Sequence, residues 1–393
     1  MKILELHVQG FRSLKDVTWK PGDLNVVIGP NGSGKSNLLR MLELISISAQ
    51  GRLGKHVRSL GGIEPLLWDG EAAAIIVGLG TSRLSPAHDR INYDVSLVRI
   101  GQTSGFRIER ELLGTYVQVE QGSGSQQNLF VRDATRAAIF DENRQAFNVP
   151  EAYVREEETL TGLLNDPFTN NKFIPPYCQQ LRAWSVYQYL DTSSDAPIRQ
   201  ASVARFEKRV DPDGQNLINV LHTLYTGDRE FKREINDAMT AAFGDDFEEL
   251  VFPPAADQRI QLRVRWKSLS REQSAADLSD GTLRFLFLLT VLASPDPAPL
   301  IAIDEPETGL HPSMLPIIGE YAVDAAQRSQ VILTTHSPQL LNAFNATNST
   351  TTVAQWSDGQ TLLKTLDGEA LAKWLGGYSL GHLFTSGELE DMK

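Results

Sequence analysis

The sequence has little cysteine, no long apolar run and no excess of basic charge. Its single cysteine, Cys178, excludes an intramolecular disulfide and a cysteine-based metal cluster, as is typical of a reducing compartment. The longest helical apolar run, Leu283 to Ala293, is too short to cross a bilayer, and the residues after Met1 alternate like a strand instead of forming a signal sequence. We therefore expect a cytoplasmic protein with no membrane partner.

Acidic residues outnumber basic ones, 49 against 37, which gives a formal net charge of −12. Binding to a nucleic-acid backbone needs clustered Lys and Arg, so this balance argues against a protein whose whole surface binds nucleic acid. A local basic strip stays open. The 393 residues can bury one large core or form two or three lobes, and no Gly/Ser or Pro tract marks a flexible linker.

Hydrophobic periodicity predicts an α/β fold. Residues 3–11 alternate like a half-buried strand, with Leu4, Leu6 and Val8 on the buried face, and β-branched runs over 72–132 predict an antiparallel meander. Helical spacing over 217–225 and 231–243 predicts a helical insert, and the apolar strands 299–303 and 330–335 predict a parallel core sheet. The predicted segments are an N-terminal lobe (1–147), a mainly helical insert or lid (148–250), a C-terminal lobe (251–345) and a tail (346–393).

The stretch "GPNGSGKS", Gly29 to Ser36, lies between an apolar strand and a helical run. Glycines let successive backbone N–H groups curl around a phosphate, Lys35 adds a mobile positive charge, and Ser36 offers Mg²⁺ a hydroxyl ligand. A glycine turn with a surface lysine is the alternative, which the coincidence of pattern, strand and helix disfavours. The candidate phosphate-binding residues are Gly29, Pro30, Asn31, Gly32, Ser33, Gly34, Lys35, Ser36 and Asn37.

Two further strands end in candidate catalytic residues. In "PLIAIDEPETGLHP", Asp304 can hold Mg²⁺ and Glu305 can polarise the attacking water, although an acidic pair at a strand end is also a common solvated cap. His336 follows "VILTT" at the edge where open α/β sheets bind ligands. It is a candidate contact for the γ-phosphate or the attacking water, and the alternative is a hydrogen-bonded turn histidine.

The stretch "LSDGT" opens the apolar helix that follows it. Ser279 and Gly281 can bring a hydroxyl, free N–H groups and the helix dipole to bear on an anion. The same serine is also typical of an ordinary helix N-cap, and it can cap the helix and contact an anion at the same time.

Taken in order, "GPNGSGKS", "LSDGT", "IDEPETGLHP" and "TTHSP" resemble the ATP-binding-cassette ATPases. The similarity is to the SMC/RecF-like branch, soluble predicted AAA-family ATPases related to OLD-type and bacterial defence ATPases, and it covers roughly 1–50 and 275–345. It implies a P-loop NTPase fold of ABC/SMC type with ATP and Mg²⁺ as cofactors. It also implies that Ser279 and Gly281 cap the γ-phosphate held by a partner copy's Walker A loop, in an ATP-sandwich homodimer or a higher oligomer.

The residues that correspond to other elements of this family are harder to identify in the sequence. "ETGLHP" resembles the D-loop that crosses the dimer seam, and Asp280 stands where transporters usually have glycine, so we expect its side chain to point away or to reach the partner. Gln50 and Gln102 are candidates for the Q-loop glutamine. Phe11 and Arg12 are candidates for adenine contacts, with a core role for the phenylalanine as the alternative.

The resemblance implies a Mg²⁺-dependent ATPase that couples nucleotide to DNA-related work, in repair or antiphage defence, with an effector such as a nuclease. We expect that nuclease to be a separate chain, since the sequence ends fewer than 60 residues after His336. Three alternatives stay open: a transporter cassette, disfavoured by the long stretch between the Walker motifs; a nucleotide-gated scaffold, disfavoured by Glu305; and a protein-directed ATPase, favoured by the acidic charge. Alternating charges at Arg263, Arg265 and Lys267 fit a DNA contact or, better, a solvated strand face.

Overall fold

The structure is a computed structural model that describes residues 1–84, 90–101, 103–119, 122–162, 171–345, 347, 349–366 and 378–388. The chain divides into two compact units. Unit 1 comprises Met1–Gly22, Ile28–Trp184 and Thr350–Thr365, and unit 2 comprises Asp23–Val27, Ser185–Ser349 and Leu366–Lys393. Each unit is thus assembled from separated stretches of sequence. The four consecutive segments expected from the sequence stay a prediction.

Within the described residues the strands are, in chain order, β1 (Ile3–Phe11), β2 (Leu14–Trp19), β3 (Leu24–Ile28), β4 (Ala74–Ser82), β5 (Arg90–Arg99), β6 (Phe106–Val119), β7 (Gly122–Asp133), β8 (Arg136–Phe140), β9 (Ala146–Val149), β10 (Ser185–Tyr187), β11 (Ser202–Val203), β12 (Phe247–Val251), β13 (Pro254–Ala255), β14 (Arg259–Ile260), β15 (Arg263–Trp266), β16 (Gln273–Ser274), β17 (Leu300–Asp304), β18 (Gln330–Thr335), β19 (Thr350–Ser357) and β20 (Gln360–Thr365). The α-helices there are α1 (Lys35–Ala49), α2 (Leu53–Ser59), α3 (Ile174–Arg182), α4 (Leu217–Gly227), α5 (Arg229–Phe243), α6 (Asp280–Leu292), α7 (Leu315–Ala326), α8 (Pro338–Asn342) and α9 (Leu380–Thr385).

An antiparallel sheet forms the framework of unit 1. Its strands run in the order β2-β1-β4-β5-β6-β7-β8-β9. The meander predicted over 72–132 corresponds to β4 through β7, whose neighbours pair antiparallel. The prediction is therefore confirmed, and the pairing continues further, to β8 and β9 on one side and to β1 and β2 on the other.

The first strand shows a limit of the alternation argument. Leu6 and Val8 are buried as predicted, but Leu4 is 41% exposed and Ile3 is buried in its place. The pairing of β1 with β4 shifts register between Ile3 and Glu5, which marks a bulge. A bulge reverses the face on which the preceding side chain lies, so the prediction for Leu4 is wrong.

Helix α1 is anchored in unit 1 at its carboxyl end. The Arg182 Nε donates to the Ala49 carbonyl at 2.8 Å, and the Ser46 hydroxyl donates to the Trp184 carbonyl at 3.3 Å. Bonds to the last carbonyls of a helix satisfy acceptors that have no partner within it. The other end of α1, where the glycine-rich loop enters, is thereby held on a fixed axis.

The predicted parallel sheet forms the core of unit 2. Strand β17 pairs parallel with β10 on one side and with β18 on the other. Strand β3, of which Leu24–Val27 belongs to unit 2, lies beside β18, where the Val331 N–H donates to the Asp23 carbonyl at 2.9 Å. Since parallel strands are covered on both faces, their apolar sequences need no alternation.

The stretch predicted as a helical insert is more mixed than expected. Helices α4 and α5 match the two predicted helices, and Asp228 caps α5 by accepting from the Glu230 and Phe231 N–H groups at 2.9 and 3.0 Å. The same stretch also supplies β10 to the parallel sheet. A strand of three residues is too short to show a period in sequence.

Among the helices that the structure describes, none is both long enough and apolar enough to span a bilayer.

Candidate active site

The loop from Gly29 to Gly34 joins β3 to α1 and requires glycine at both ends. Gly34 has φ of 97°, and a side chain there would overlap the Thr361 and Ser13 hydroxyls. At Gly29 a Cβ would overlap the Ala354 carbonyl oxygen. Only glycine meets both the backbone angle and the lack of space, so the sequence pattern is explained by local sterics.

Lys35 fills the interior of this loop. Its side chain is buried, and the Nζ donates to the carbonyls of Gly29 at 2.7 Å and Pro30 at 3.1 Å. Beside it the Ser33 hydroxyl oxygen is buried and has no hydrogen-bond partner among the described residues. A buried ammonium and an unsatisfied hydroxyl are groups that an anion entering the loop would satisfy.

The start of α1 has a glycine at its N-cap. Gly34 supplies no side-chain cap, and Ser36 in the first turn is half-buried. Pro30, Asn31 and Gly32 are exposed on the outer part of the loop. Helix N-termini favour anions because their first N–H groups have no partner within the helix.

A small network of hydroxyls supports the loop from behind. The Thr361 hydroxyl donates to the Ser13 hydroxyl at 2.7 Å and lies 2.9 Å from the Ser33 carbonyl oxygen. The Asn37 amide also donates to Ser13, at 2.8 Å. Asn37, a predicted phosphate contact, therefore braces the loop through its side chain.

The predicted adenine contacts differ in exposure. Phe11 is 1% exposed, so its ring belongs to the core of unit 1 and the core reading of this residue holds. Arg12 has φ of 47°, and its Nε is buried without a hydrogen-bond partner in the described part of the chain. Burial, and after it the charge of Arg40, lowers the pKa of Arg12.

Neither Q-loop candidate is supported. Gln50 caps the carboxyl end of α1, where its amide donates to the Ser46 hydroxyl at 3.3 Å. At about 1.5 Å of rise per residue, roughly 20 Å of helix separate it from the glycine-rich loop. Gln102 lies outside the described residues.

In unit 2, the predicted acidic pair stands at the carboxyl end of β17. The Thr334 hydroxyl donates to the Asp304 carboxylate, and the Glu305 N–H donates to the Thr334 carbonyl at 3.1 Å. Glu305 has φ of 46°, a left-handed conformation that costs a non-glycine residue about 1–3 kcal/mol. Neighbouring hydrogen bonds hold this strained residue with its carboxylate at the sheet edge.

His336 meets this acidic edge within unit 2. Its Nδ1 lies 3.2 Å from Glu305 Oε1. Its backbone N–H donates to Glu307 Oε1 at 3.1 Å, and the Thr335 hydroxyl donates to the same oxygen at 2.6 Å. The Glu307 side chain is mostly buried, so it positions the histidine turn from within the same chain, a role that sequence reasoning missed.

The stretch "LSDGT", residues 278–282 and called the signature turn below, caps α6 and also faces solvent. Ser279 is the N-cap of α6 and accepts from the Thr282 N–H at 3.1 Å, and the serine is itself exposed to solvent. Gly281 packs against the chain at Gly309, whose carbonyl oxygen would lie 2.8 Å from an added Cβ. The Asp280 carboxylate pairs with Arg199 of the same chain. This pair supports the expectation that the Asp280 side chain points away over the expectation that it reaches the partner copy.

A cleft in unit 2 borders the acidic edge, and one of its residues was not singled out in sequence. Its lining includes Gln188, Tyr189, Arg284, Asp304, Glu305 and Thr308. Gln188 directly follows β10, which pairs with β17, so it stands at the same sheet edge as Asp304. Because β10 has only three residues, nothing in the periodicity marked this glutamine.

Of the candidate basic residues Arg263, Arg265 and Lys267, the two arginines form ion pairs. Arg265 pairs with Glu249 and, at 2.7 Å, with Glu272, and Arg263 lies 3.7 Å from Glu272. Arginines paired in this way offer little free charge to a phosphate backbone. The geometry supports the solvated strand face over the DNA contact.

Comparison with known proteins identifies the family. Residues 24–342, most of the chain, match the family described as "AAA domain, putative AbiEii toxin, Type IV TA system". The chain belongs to this family of AAA domains. The expectation of an ATPase of the P-loop class is thereby confirmed at the level of the family.

One curated relative and two solved structures are similar to this AAA domain over most of its length. An OLD nuclease of Thermus scotoductus is 19% identical over 362 residues, which cover 87% of this chain and 60% of the relative. The chain thus spans less than two thirds of that relative's length. An SMC head bound to the C-terminal winged-helix domain of ScpA has a TM-score of 0.56 at 14% identity, covering 95% of this chain and 100% of the other.

An SMC head with an extended coiled coil, bound to the C-terminal domain of ScpA from Pyrococcus furiosus, gives a TM-score of 0.54 at 14% identity, with coverage of 95% and 98%. At such identities the structural similarities show the fold alone. They confirm the predicted α/β fold of ABC/SMC type for this AAA domain.

Proposed function

We propose that this AAA domain is a Mg²⁺-dependent ATPase whose two copies close around ATP as a sandwich. The observation that carries the proposal is the exposure of Ser279 at the mouth of α6. The serine oxygen accepts from the Thr282 N–H, and a hydroxyl has a donor and further acceptor capacity besides. It can therefore cap its own helix and donate to an anion outside the chain.

Phosphate binding is assigned to the glycine-rich loop. Lys35 and the first N–H groups of α1 present positive charge, and the unsatisfied Ser33 hydroxyl adds a donor. Ser36 would offer Mg²⁺ a hydroxyl oxygen and Asp304 a carboxylate oxygen, which are ligand types that this ion prefers. The bound ion would neutralise charge on the transferred phosphoryl group.

Turnover is assigned to the acidic edge of unit 2. Glu305 presents a carboxylate that can orient and polarise the attacking water, and the His336 ring beside it can hydrogen-bond to the water or to the γ-phosphate. Gln188, at the same edge, is a further candidate to orient that water. Glu307 holds the histidine turn in place.

Closure requires a sizeable difference in affinity. To move an equilibrium from 1:99 to 99:1, a ligand must favour the closed state by about 5.5 kcal/mol. Charge-assisted hydrogen bonds from two signature turns to two γ-phosphates are contacts of the right size. Ser279 and Gly281 would supply these contacts to the partner copy's nucleotide.

The work driven by this cycle is the finer part of the proposal. Similarity to an OLD nuclease supports DNA-related work in defence or repair, with an effector such as a nuclease. The net charge of −12 and the paired Arg263 and Arg265 favour the rival, an ATPase or nucleotide-gated scaffold that acts on proteins alone. Stimulation of ATP turnover by DNA, weakening as salt rises, supports the first; turnover indifferent to DNA at every salt concentration supports the second.

Subunit complementation tests the sandwich itself. Lys35→Ala removes the phosphate contact and Ser279→Arg blocks the signature, so each variant alone is expected to be inactive. In a mixture, the heterodimer has one intact composite site if the two motifs act in trans, and its turnover recovers to as much as half the wild-type rate. Inactive mixtures would show that each site lies within one copy.

A further inference from the structure

Arg199 makes an unusually complete set of contacts behind the signature turn. Its side chain is 8% exposed and pairs through Nη2 with the Asp280 carboxylate. The rest of the guanidinium donates to backbone carbonyl oxygens, namely those of Thr192 (2.8 Å), Ala275 (3.1 Å), Ala276 (3.3 Å) and Leu278 (2.7 Å). One side chain thus binds most of the turn that leads into α6.

These contacts fix the turn that presents Ser279. The carbonyls of Ala275 and Leu278 belong to buried residues and need donors, which the fork of the guanidinium provides. The turn ends at Ser279, whose side-chain oxygen accepts from the Thr282 N–H and caps α6. An ammonium group has no planar fork, so a lysine at this position could not reproduce the geometry.

The pairing also cancels a charge that opposes the proposed role. Asp280 lies in the first turn of α6, next to Ser279, and its side chain is 63% exposed. An uncompensated carboxylate at this place would repel a γ-phosphate and compete for the positive end of the helix. Arg199 offsets that charge and holds the carboxylate on the chain's own side.

We propose that Arg199 is a positioning residue that neutralises Asp280 and sets the signature turn, so that Ser279 and the start of α6 can receive a second copy's triphosphate. The inference rests on the proposed ATP-sandwich function. It predicts that the charge balance at Arg199 and Asp280 controls association of the two copies and leaves each copy's own grip on ATP unchanged.

A matched pair beyond the other end of α6 supplies the control. Arg209 Nη2 lies 3.0 Å from the Asp296 carboxylate, and its Nε donates to the Asp296 carbonyl at 3.1 Å. Both arginines come from the stretch between α3 and α4. Their partners lie at opposite ends of α6, Asp280 in its first turn and Asp296 shortly after its last residue. Arg209→Gln and Asp296→Asn therefore repeat each charge change at a pair that does not touch the signature turn.

The test measures ATP-driven self-association, ATP affinity and the thermal unfolding midpoint on the full chain. Arg199→Gln should weaken association roughly tenfold or more, because it uncovers the carboxylate and removes charge-assisted bonds, with ATP affinity unchanged. Adding Asp280→Asn to that variant should recover part of the association. Recovery by removal of a second group is not expected of a residue that only stabilises the fold.

Asp280→Asn alone keeps the inference testable even if the arginine variants do not fold. Since the carboxylate is exposed, this variant should fold, and the freed arginine charge should tighten association roughly three- to tenfold and steepen its salt dependence. Asp296→Asn should do neither. Identical behaviour of these two variants, or no recovery in the folded double variant, overturns the inference.

Failure of the underlying function would look different. Wild-type chain that binds ATP and never self-associates overturns the sandwich proposal, and the role of Arg199 with it. Wild-type chain that associates with ATP, while Arg199→Gln behaves like Arg209→Gln, overturns the inference alone.

Discussion

The glycine-rich loop of unit 1 and the acidic edge of unit 2 achieve their geometry in different ways. Much of the loop's conformation is set within its own motif, by its glycines and by Lys35 binding the loop's own carbonyls, although the Thr361 and Ser13 hydroxyls support it from behind. The acidic edge relies on side chains of another strand of unit 2, such as Thr334 and Thr335 of β18. When a site lies within one contiguous motif, the sequence indicates both its residues and its conformation. When a site is supported by distant residues, the sequence indicates the motif but not the side chains that hold it in place.

The same contrast separates two tasks. The loop presents donors and positive charge, which suit binding of an anion. The edge presents carboxylates and a histidine, which suit proton transfer and orientation of water. If this division is right, variants of the two regions should fail differently.

The largest effect is expected at the acidic edge. Glu305→Gln keeps the size of the side chain but removes the negative charge that polarises water. We expect ATP turnover to fall by roughly 10²–10⁴-fold, as is usual for loss of a catalytic base, with ATP binding retained. Steady-state hydrolysis and equilibrium nucleotide binding measure the two quantities.

Glu230→Gln is the matched control, because its carboxylate is exposed on α5 and pairs with the nearby Arg233 at 3.2 Å. It should keep wild-type turnover. Wild-type hydrolysis by Glu305→Gln would remove the carboxylate from the chemistry and erase the division between the two regions.

A smaller loss, and one of binding, is expected at the loop. Lys35→Ala removes the buried ammonium, and loss of one or two charge-assisted bonds to phosphate corresponds to a roughly 100-fold lower affinity for ATP. Lys172→Ala, which breaks an exposed pair with Glu142 at 2.7 Å, should not change it. Titration with ATP decides the matter: unaltered affinity in Lys35→Ala would mean that the loop does not hold the phosphates.

The sequence was informative wherever a pattern was contiguous. The strands near 300–304 and 330–335, the helices α4 and α5 and the antiparallel meander all follow from local periodicity. Gly34 could be placed because only glycine fits its backbone angle. The prediction that Leu4 is buried was wrong because an alternating pattern in sequence does not reveal a β-bulge.

The residues missed in the site share a physical cause. Arg199 lies 80 residues before Ser279 in sequence, and Gln188 follows a strand of three residues that becomes recognisable only when paired with β17. Glu307 reads in sequence as part of a loop, and its burial beneath His336 depends on the packing of two strand ends. Such contacts arise from tertiary structure, for which local propensity carries no signal.

Unit 1 contains a fully buried carboxylate, Glu111, whose surroundings differ from those of the acidic edge. Glu111 of unit 1 is fully buried and accepts from the Tyr93 hydroxyl at 3.0 Å and from the Leu160 N–H at 2.7 Å. Burial raises the pKa of Glu111 to about 7, although the Leu160 bond and the charge of Arg132 act in the opposite direction. Unlike the half-buried Glu305, this group ties the meander to the segment at 160–162.

The raised pKa makes the stability of unit 1 depend on pH. The folded chain holds a proton on Glu111 up to about pH 7, while the unfolded chain releases it near the ordinary glutamate pKa of 4.5. Its contribution is therefore full below pH 4.5 and is lost as pH rises towards 7, on the order of 2 kcal/mol between pH 5 and pH 7. Thermal unfolding midpoints measured across this range should fall on the alkaline side.

Glu111→Gln isolates that contribution. A glutamine oxygen can still accept from the Leu160 N–H, and its amide can donate to the Tyr93 hydroxyl, but the side chain no longer titrates. The variant should lose some stability at pH 5 and show a flatter dependence on pH than the wild type. Since Asp94 also has a pKa raised mainly by burial, part of the slope should persist in the variant and become smaller when Asp94→Asn is added. Parallel curves for wild type and Glu111→Gln would mean that Glu111 is ionised in the fold, stabilised by the charge of Arg132 and by the N–H groups of Leu160 and Thr161, and that its burial costs less than the geometry implies.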